Sequence, residues 1–323
     1  MTVHDPLDEV RAACRSVAEH SQHVHINLDL ISTYATALPL ERIRHPEHDP
    51  RSHYLGHGDD TATFFIVLDS INFGSGYFPH LSKRPGMSGY FTIASSLNDY
   101  FREHGTIAAS ELMALDTATC TRLFGQNPDN QPIQDLMELF THALNDLGRF
   151  ITERYRGSFT AMVEDSARSA ARLVSILTGM PFFRDVEEYL GFRVPFYKRA
   201  QLMASDLALA FNGAGLGQYD DLSRLTIFAD NLVPHVLRMD GVLSYSERLA
   251  EQIDHELLVP AGSEEEVEIR ACALHAVELI SADLARHGSD TSPMMLDYLL
   301  WNRGQEPFYK QTRPRHRTRT VFY

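Results

Sequence analysis

The sequence predicts a mainly α-helical protein that folds as a single compact domain. Three observations indicate this class. Apolar residues recur at three- and four-residue intervals over much of the second half of the chain, as on the buried face of a helix. Helix-start signals precede several of these segments, and no internal repeat or low-complexity linker divides the 323 residues. A hydrophobic content of 44% is enough for one sizeable core.

Two helices are predicted near the start of the chain. Asp5 followed by Pro6 matches an N-cap with proline at the first helical position, and apolar residues then recur at helical spacing. A second helix is expected over residues 28–37, ending before Pro39.

The remainder of residues 1–125 is less regular, so we expect a mixed N-terminal part with minor irregular and β structure. Residues 41–60 are polar and contain prolines, which indicates a loop. The apolar run 61–68 fits a strand or a buried helix equally well. Glycines and prolines over residues 74–89 indicate an irregular segment, and such segments in compact domains are often functional.

Residues 126–323 are predicted to form the helical part of the domain. Helical spacing covers residues 133–155, 159–177, 196 to about 211, and 225–232. Pro234 lacks an N–H group, so the last of these helices should kink or end there. Ser292 and Pro293 together indicate the start of a further helix.

The overall charge and the cysteines exclude some classes of protein. The formal net charge of -14 argues against a duplex nucleic-acid binder, which normally presents a broad basic face, but allows a small anionic substrate. The three cysteines Cys14, Cys120 and Cys272 form no C-x-x-C pair, so we expect reduced, buried thiols. The first residues resemble no signal peptide, and no apolar run is long enough for a membrane span, so a cytoplasmic location is expected.

The first candidate site is the helix start at residues 196–201. Lys198 and Arg199 place two cations at a helix N-terminus, where the macrodipole favours anions, and an anionic ligand would offset this cost. The alternative is an ion pair between Arg199 and Asp206, with Lys198 in solvent.

The second candidate is Asp230, which apolar residues surround on its predicted helix face. A carboxylate in an apolar setting needs a partner, and Lys198 or Arg199 could be that cation. The alternative is a helix cap or a buried structural ion pair.

The third candidate is the segment 68–79, where polar side chains precede glycines and aromatic residues. Asn72 can bond a donor–acceptor edge, and Tyr77 or Phe78 can stack on a planar base. The alternative is an ordinary turn with its aromatic residues packed inward.

Metal and cofactor sites have weaker support. The histidines of the loop, His45, His48, His53 and His57, match no established ligand spacing. Glu268, Cys272 and His275 share a helix face, but a buried polar contact is the preferred interpretation. The sequence lacks a P-loop, a G-x-G-x-x-G motif after a strand and a G-x-S-x-G elbow, so we predict neither a metal nor a cofactor.

Taken together, these motifs resemble the queuosine-salvage N-glycosylases nearly from end to end. The matching segments, each modest alone but specific in their joint order, are residues 68–79, 196–201, 225–230 with 233–234, 268–270 with 276–278, and 315–320.

The resemblance implies a mostly α-helical domain, distantly similar to helix-hairpin-helix DNA glycosylases, that releases queuine from queuosine 5′-monophosphate or queuosine with water. It implies that Asp230 is the catalytic carboxylate and that Lys198 is essential beside it. It also implies a small-molecule substrate, with no stable nucleic-acid partner and no membrane. The residues that we expect to bind substrate are Asn72, Asp69, Tyr77, Phe78, Tyr197, Arg199, Asp206, Phe228, Asn231 and His53.

Three other functions remain open from the sequence. A glycosylase acting on bases within DNA or RNA would need a basic groove, which the acidic composition disfavours. A non-catalytic carrier of deazapurine nucleosides would leave Lys198 and Asp230 without a purpose. A metal hydrolase would use the histidine loop.

Overall fold

The computed structural model describes residues 5–43 and 47–323 of the chain. Helices dominate this part of the protein, which confirms the mainly α class. The fifteen α-helices of the described residues are α1 Pro6–His20, α2 Ile31–Ala37, α3 Asp59–Ser70, α4 Gly89–His104, α5 Ala109–Ala114, α6 Thr117–Leu123, α7 Gln131–Tyr155, α8 Phe159–Asp165, α9 Ala170–Leu177, α10 Lys198–Ala210, α11 Val233–Met239, α12 Glu247–Asp254, α13 Glu264–Arg286, α14 Pro293–Arg303 and α15 Pro307–Gln311.

The strands form two short antiparallel pairs. Strand β1 (Val24–Ile26) pairs with β4 (Leu243–Tyr245), and β2 (Val186–Tyr189) pairs with β3 (Phe192–Pro195). In the described part of the chain, only β1 therefore falls within the first 125 residues, where the sequence suggested a β contribution. The pair β1–β4 joins two parts of the chain that lie more than 200 residues apart.

Two buried helices form the centre of the molecule. Helix α13 packs against α1, α2 and β1, and α10 packs against α3 and α9. Ten of the twelve residues of α3 are buried, so this helix has no polar face. The apolar run 61–68 is thus a buried helix, which sequence periodicity could not distinguish from a strand.

Two predicted helices are wrong in detail. The region 159–177 is split into α8 and α9, because Ala167 and Arg168 adopt positive φ angles of 50° and 64° between them. Residues 225–229 form neither a helix nor a strand, and α11 begins only at Val233. Pro234 therefore lies in the first turn of a helix, where its missing N–H has no partner to lose, and does not end a preceding one.

The three cysteines are free and buried, as the sequence predicts. Burial raises the pKa of the Cys120 and Cys272 thiols to about 12 and that of the Cys14 thiol further still. Among the described residues, no helix has both the length and the apolar character needed to cross a membrane.

Candidate active site

A cavity of about 1190 Å³ opens where α10, α14, the segment before α11 and the C-terminal residues 304–323 meet. Its size suits a nucleotide or a ligand of similar bulk. Eight of the residues predicted to form a site line it: His53, Asn72, Phe78, Lys198, Asp206, Phe228, Asp230 and Asn231. The fold therefore brings together residues from all three candidate segments.

Lys198 is the first residue of α10 and is only 6% exposed. The preceding residue, Tyr197, has a left-handed backbone (φ 49°), and the Lys198 N–H donates to the Asp185 carboxylate over 3.1 Å. Burial lowers the pKa of the Lys198 ammonium group, whereas Asp230 and Asp69 oppose this shift. Within the described residues its ammonium group makes no hydrogen bond or close ion pair, so it is available to a ligand.

Asp230 lies in the non-helical segment just before α11. Its Oδ1 accepts hydrogen bonds from the N–H groups of Leu232 (2.7 Å) and Val233 (3.3 Å), so the side chain caps the helix start. Its Oδ2 has no hydrogen-bond partner in residues 5–43 and 47–323, and the residue lines the cavity. The backbone N–H groups thus fix one oxygen of the carboxylate and leave the other unpaired.

A single buried ion pair supports both Lys198 and Asp230. The fully buried Arg270 donates to both oxygens of Asp185 over 3.0 and 2.6 Å. Arg270 also donates from Nε to the carbonyl of Ala229, the residue before Asp230, over 2.9 Å. Because Asp185 also bonds the Lys198 backbone, this pair fixes the spacing between the two candidate residues.

Two further acids, Asp69 and Asp206, form a carboxyl pair at the base of the cavity. Burial raises the pKa of Asp69 to about 7, although the positive charge of Lys198 opposes the shift. Burial and the neighbouring Asp69 raise the pKa of Asp206 well above its usual range. The pair therefore holds protons more tightly than two exposed carboxyl groups would. Asp206 lines the cavity and Asp69, which is fully buried, lies behind it.

Arg199 does not line the cavity, contrary to the expectation that it contacts substrate. Its guanidinium donates to the backbone carbonyls of Asp69, Ser70, Phe182 and Val321. These carbonyls satisfy the buried cation, so Arg199 attaches the C-terminal segment to α3 rather than binding a phosphate. The alternative ion pair between Arg199 and Asp206 is also absent from the described residues.

Tyr77 and Tyr197 also lie outside the cavity lining. The Tyr77 ring packs beneath the Arg319 guanidinium, 4.9 Å from ring centre to carbon. Tyr197 is buried and precedes α10 in its left-handed turn. Both residues shape the backbone around the site, since their rings pack within the protein.

His53 and Asn231 line the cavity but have partners within the protein. Nδ1 of His53 lies 3.0 Å from the Asp49 carbonyl, and its Nε2 lies 2.9 Å from the Tyr90 hydroxyl. Since a carbonyl only accepts, Nδ1 carries the proton and Tyr90 donates to Nε2. Burial lowers the pKa of His53, so it is neutral and offers no charge to a phosphate. The Asn231 amide donates to the Ser75 hydroxyl over 3.0 Å.

The histidine loop does not assemble a metal site in the part of the chain that the structure describes. No group of three or more His, Cys, Asp or Glu side chains there is arranged to hold an ion, and His45 lies outside the described residues. Glu268 accepts from the N–H groups of Gln22, His23 and Val24, which confirms the preferred interpretation as a buried polar contact.

Several cavity residues were missed by the sequence analysis. Asp297 on α14 is 5% exposed, lines the cavity and accepts the Phe228 N–H over 2.9 Å. Its signal was an acid on a helix whose neighbouring positions are apolar. Arg315 lines the cavity from the basic tail, and Asp230 interacts electrostatically with it. Trp301 also lines the cavity, with its ring 6.2 Å from that of Tyr90.

The arrangement combines groups that suit cleavage of a bond to a sugar. Asp230 has an unpaired oxygen near the cation Lys198, and a second acid, Asp297, lies close by. Asp206 of the carboxyl pair forms another part of the wall. A carboxylate of this kind can stabilise a developing sugar cation or form a bond to it.

Comparisons with known proteins agree with this chemistry. The family model described as "Queuosine salvage protein" matches residues 52–323. A Sphaerobacter thermophilus protein named queuosine 5′-phosphate N-glycosylase/hydrolase is 35% identical over 329 residues, covering 99% of each chain. Proteins of the same name from Dictyostelium discoideum and Mus musculus are 33% and 30% identical, and the alignments cover 81% and 97% of this chain and 78% and 98% of theirs. The chain belongs to the queuosine salvage protein family.

Proposed function

We propose that this protein hydrolyses the N-glycosidic bond of queuosine 5′-phosphate, or of queuosine, and releases queuine with ribose 5-phosphate or ribose. The free base then serves tRNA modification, and the cytoplasm is the expected location. The observation that carries the proposal is Asp230, whose Oδ1 is held by two backbone N–H groups while the residue faces a nucleotide-sized cavity beside Lys198.

The substrate explains why such a carboxylate is needed. Ordinary purines leave after protonation at N7, but a 7-deazaguanine has carbon at that position. More of the barrier must therefore fall through stabilising the sugar cation and positioning the nucleophile. In our proposal Asp230 faces C1′ as nucleophile or electrostatic stabiliser. Lys198 provides a positive charge near Asp230 and is also available to the ribose.

The base is proposed to lie toward the carboxyl pair. Queuine carries a cationic amine and a cyclopentene diol, which suit the carboxylates of Asp206 and, behind it, Asp69. Asn72 suits the guanine edge, and Phe78 or Phe228 can stack on the ring. Residues 1–125 then supply the loops of the base pocket, whereas residues 126–323 supply most of the charged groups, within one domain over residues 1–323.

The phosphate is proposed to bind Arg315. This side chain lines the cavity near Asp230 and, within the described chain, makes no hydrogen bond or ion pair. Two other residues that we expected to bind substrate suit the phosphate less well, because Arg199 bonds backbone carbonyls and His53 is neutral.

The deciding experiment incubates the purified protein with queuosine 5′-monophosphate, queuosine, guanosine 5′-monophosphate and adenosine, and detects free base by mass spectrometry. We expect queuine alone to be released. Binding of the queuosine compounds without release would favour the carrier function, and absence of both binding and release would refute the proposal.

A further inference from the structure

We propose that Asp297 is the proton-transferring residue of this reaction, acting as acid toward the leaving base and then as base toward water. The inference rests on the proposed function and deepens it. Asp297 lies on α14, a different element from that of Asp230, and lines the same cavity.

The contacts of Asp297 leave one oxygen for the reaction. Its Oδ1 accepts the Phe228 N–H over 2.9 Å, which fixes the carboxyl group against the segment that carries Asp230. Its Oδ2 has no hydrogen-bond partner among the described residues. The side chain is 5% exposed, and it reaches the cavity.

The charges around Asp297 favour its protonated form before reaction. The titratable groups that act on Asp297 or respond to it are Asp230, Lys198 and Asp206, and the Phe228 N–H donates to it. Burial and Asp230 raise the pKa of Asp297 well above its usual range, while Phe228 and Lys198 act in the opposite direction. Two carboxyl groups in different environments are the arrangement that glycosidases use to separate the roles of nucleophile and acid.

The carboxyl pair is less well placed for this role. Asp206 follows Lys198 by eight residues on α10, which is a rise of about 12 Å along the helix axis. Asp69 does not line the cavity. Asp297 instead accepts the N–H of Phe228, two residues before Asp230, and Asp230 acts on it electrostatically, so its proton is held near the segment that carries Asp230.

The steps balance with water as the only co-reactant. The bond between C1′ and the base nitrogen breaks, its electron pair goes to the base, and the Asp297 proton neutralises the base. Asp230 meanwhile stabilises or bonds to C1′. Water then attacks C1′ and gives a proton to the Asp297 carboxylate, which restores the acid. Where Asp230 has bonded to C1′, this attack breaks that bond and its electron pair returns to the Asp230 carboxylate. The sum is nucleotide plus water giving ribose 5-phosphate plus free base.

The test compares two leaving groups in Asp297→Asn. The asparagine oxygen can still accept the Phe228 N–H, but the residue no longer carries the acidic proton. With queuosine 5′-phosphate we expect kcat to fall about 100- to 10,000-fold. With 4-nitrophenyl β-ribofuranoside 5-phosphate, whose leaving group needs no proton, nitrophenolate release in a single turnover should fall less than about tenfold. The control is Asp283→Asn, a buried carboxyl group on α13 that does not line the cavity.

Each outcome separates the possible roles. Equal loss on both substrates, in a variant with the wild-type circular dichroism spectrum, would show that Asp297 only positions the Phe228 backbone and would overturn the inference. Unchanged activity on both would overturn it as well. If the variant does not fold, the pH profiles of the wild-type protein decide between the roles. With queuosine 5′-phosphate, kcat/KM should fall as the pH rises and Asp297 loses its proton. The rate of the nitrophenolate burst should show no such fall. A wild-type protein inactive on queuosine 5′-phosphate would instead refute the proposed function.

Discussion

At the scale of single residues, the Asp230 carboxylate is a helix cap and, in our proposal, also the catalytic group. Oδ1 receives two backbone hydrogen bonds at the start of α11, so the side chain is held before any ligand arrives. Preorganised charge of this kind lowers a barrier because no reorganisation is needed during the reaction.

Asp230→Asn separates the two roles. The amide oxygen can still accept the two N–H groups, so we expect the free energy of unfolding to change by less than about 1 kcal/mol. Turnover of queuosine 5′-phosphate should fall at least about 1000-fold, because the amide cannot neutralise a sugar cation. Base release measured by mass spectrometry, together with denaturation in urea, checks both points. Near-normal turnover by the folded variant would contradict the assigned role.

We predict that the buried carboxyl group of Asp69 lowers the free energy of unfolding. Its pKa rises from 3.8 to about 7 on folding, so the folded state holds the proton more tightly than the unfolded chain. The destabilising effect therefore grows as pH rises from about 4 to about 7 and stays constant above. Asp69→Asn should stabilise the protein by about 1–2 kcal/mol at pH 8 and by less at pH 5. Urea denaturation at both pH values measures this, and equal effects at the two pH values would contradict the assigned cause.

Arg315 is predicted to determine the preference for the phosphorylated substrate. Arg315→Met should lower kcat/KM for queuosine 5′-phosphate about 10- to 100-fold, the usual worth of a charge-assisted hydrogen bond. The value for queuosine should change little, since it lacks the phosphate. Arg154→Met, at an exposed position of α7 outside the cavity lining, serves as the matched control. A parallel fall with both substrates would argue that Arg315 supports Asp230 and not the phosphate.

At the scale of elements, the C-terminal segment packs closely against the turn at residues 75–80. A Cβ atom at Gly76 would lie 2.2 Å from the Thr318 carbonyl oxygen, so this glycine lets the two backbones meet. The contact holds the C-terminal segment, which carries Arg315, against the cavity.

Gly76→Ala should displace the tail and destabilise the protein by about 1–3 kcal/mol. The matched control is Gly148→Ala on α7, where the added Cβ would lie 2.5 Å from the Ala109 carbonyl, away from the cavity lining. We expect similar losses of stability but a loss of kcat/KM per folded molecule only for Gly76→Ala. Thermal melting and initial rates below the melting range provide the measurement, and equal activities would show that the tail position is irrelevant to the site.

Element prediction succeeded where local signals were strong. The N-cap at Asp5, the helix from Lys198 and the helix from Pro293 all begin close to where the sequence indicated. The predicted helix over residues 225–232 was wrong, because an apolar stripe at helical spacing also fits a non-helical segment that is buried on all sides. There, tertiary burial and the cap provided by Asp230 determine the backbone.

At the scale of the whole molecule, the Asp185–Arg270 pair connects distant parts of the chain. It joins α13, the start of α10 and the segment of Asp230, and the rings of Phe196 and Tyr323 lie 3.9 and 4.8 Å from the Arg270 guanidinium carbon. The C-terminal residue is therefore part of the same buried centre.

Arg270→Met should destabilise the protein by about 3–5 kcal/mol, because it leaves the Asp185 carboxylate buried without its cation. Arg172→Met is the control, since it removes an exposed ion pair with Asp165 and should cost less than about 1 kcal/mol. Urea denaturation compares the two variants. Similar small effects would mean that water or another group compensates for the lost charge.

The site was predictable in part. Lys198 and Asp230 were identified because each violates a local rule, a cation at a helix N-terminus and an acid among apolar residues. Asp297 and Arg315 were not identified, because their importance depends on α14 and the tail returning to the cavity. The position of Arg199 outside the cavity lining was not foreseen, since its four carbonyl partners come from three separate segments that no local pattern reveals.

The position of Trp301 makes the intrinsic fluorescence of the protein a signal of what occupies the cavity. It is the single tryptophan of the chain, and its indole lines the cavity in contact range of the Tyr90 and Phe91 rings. All indole emission therefore originates beside the cavity, and a planar base that enters will change its intensity and wavelength. Titrating queuine into Asp230→Asn, excited at the red edge of the indole band, then reports occupancy in real time without any attached dye.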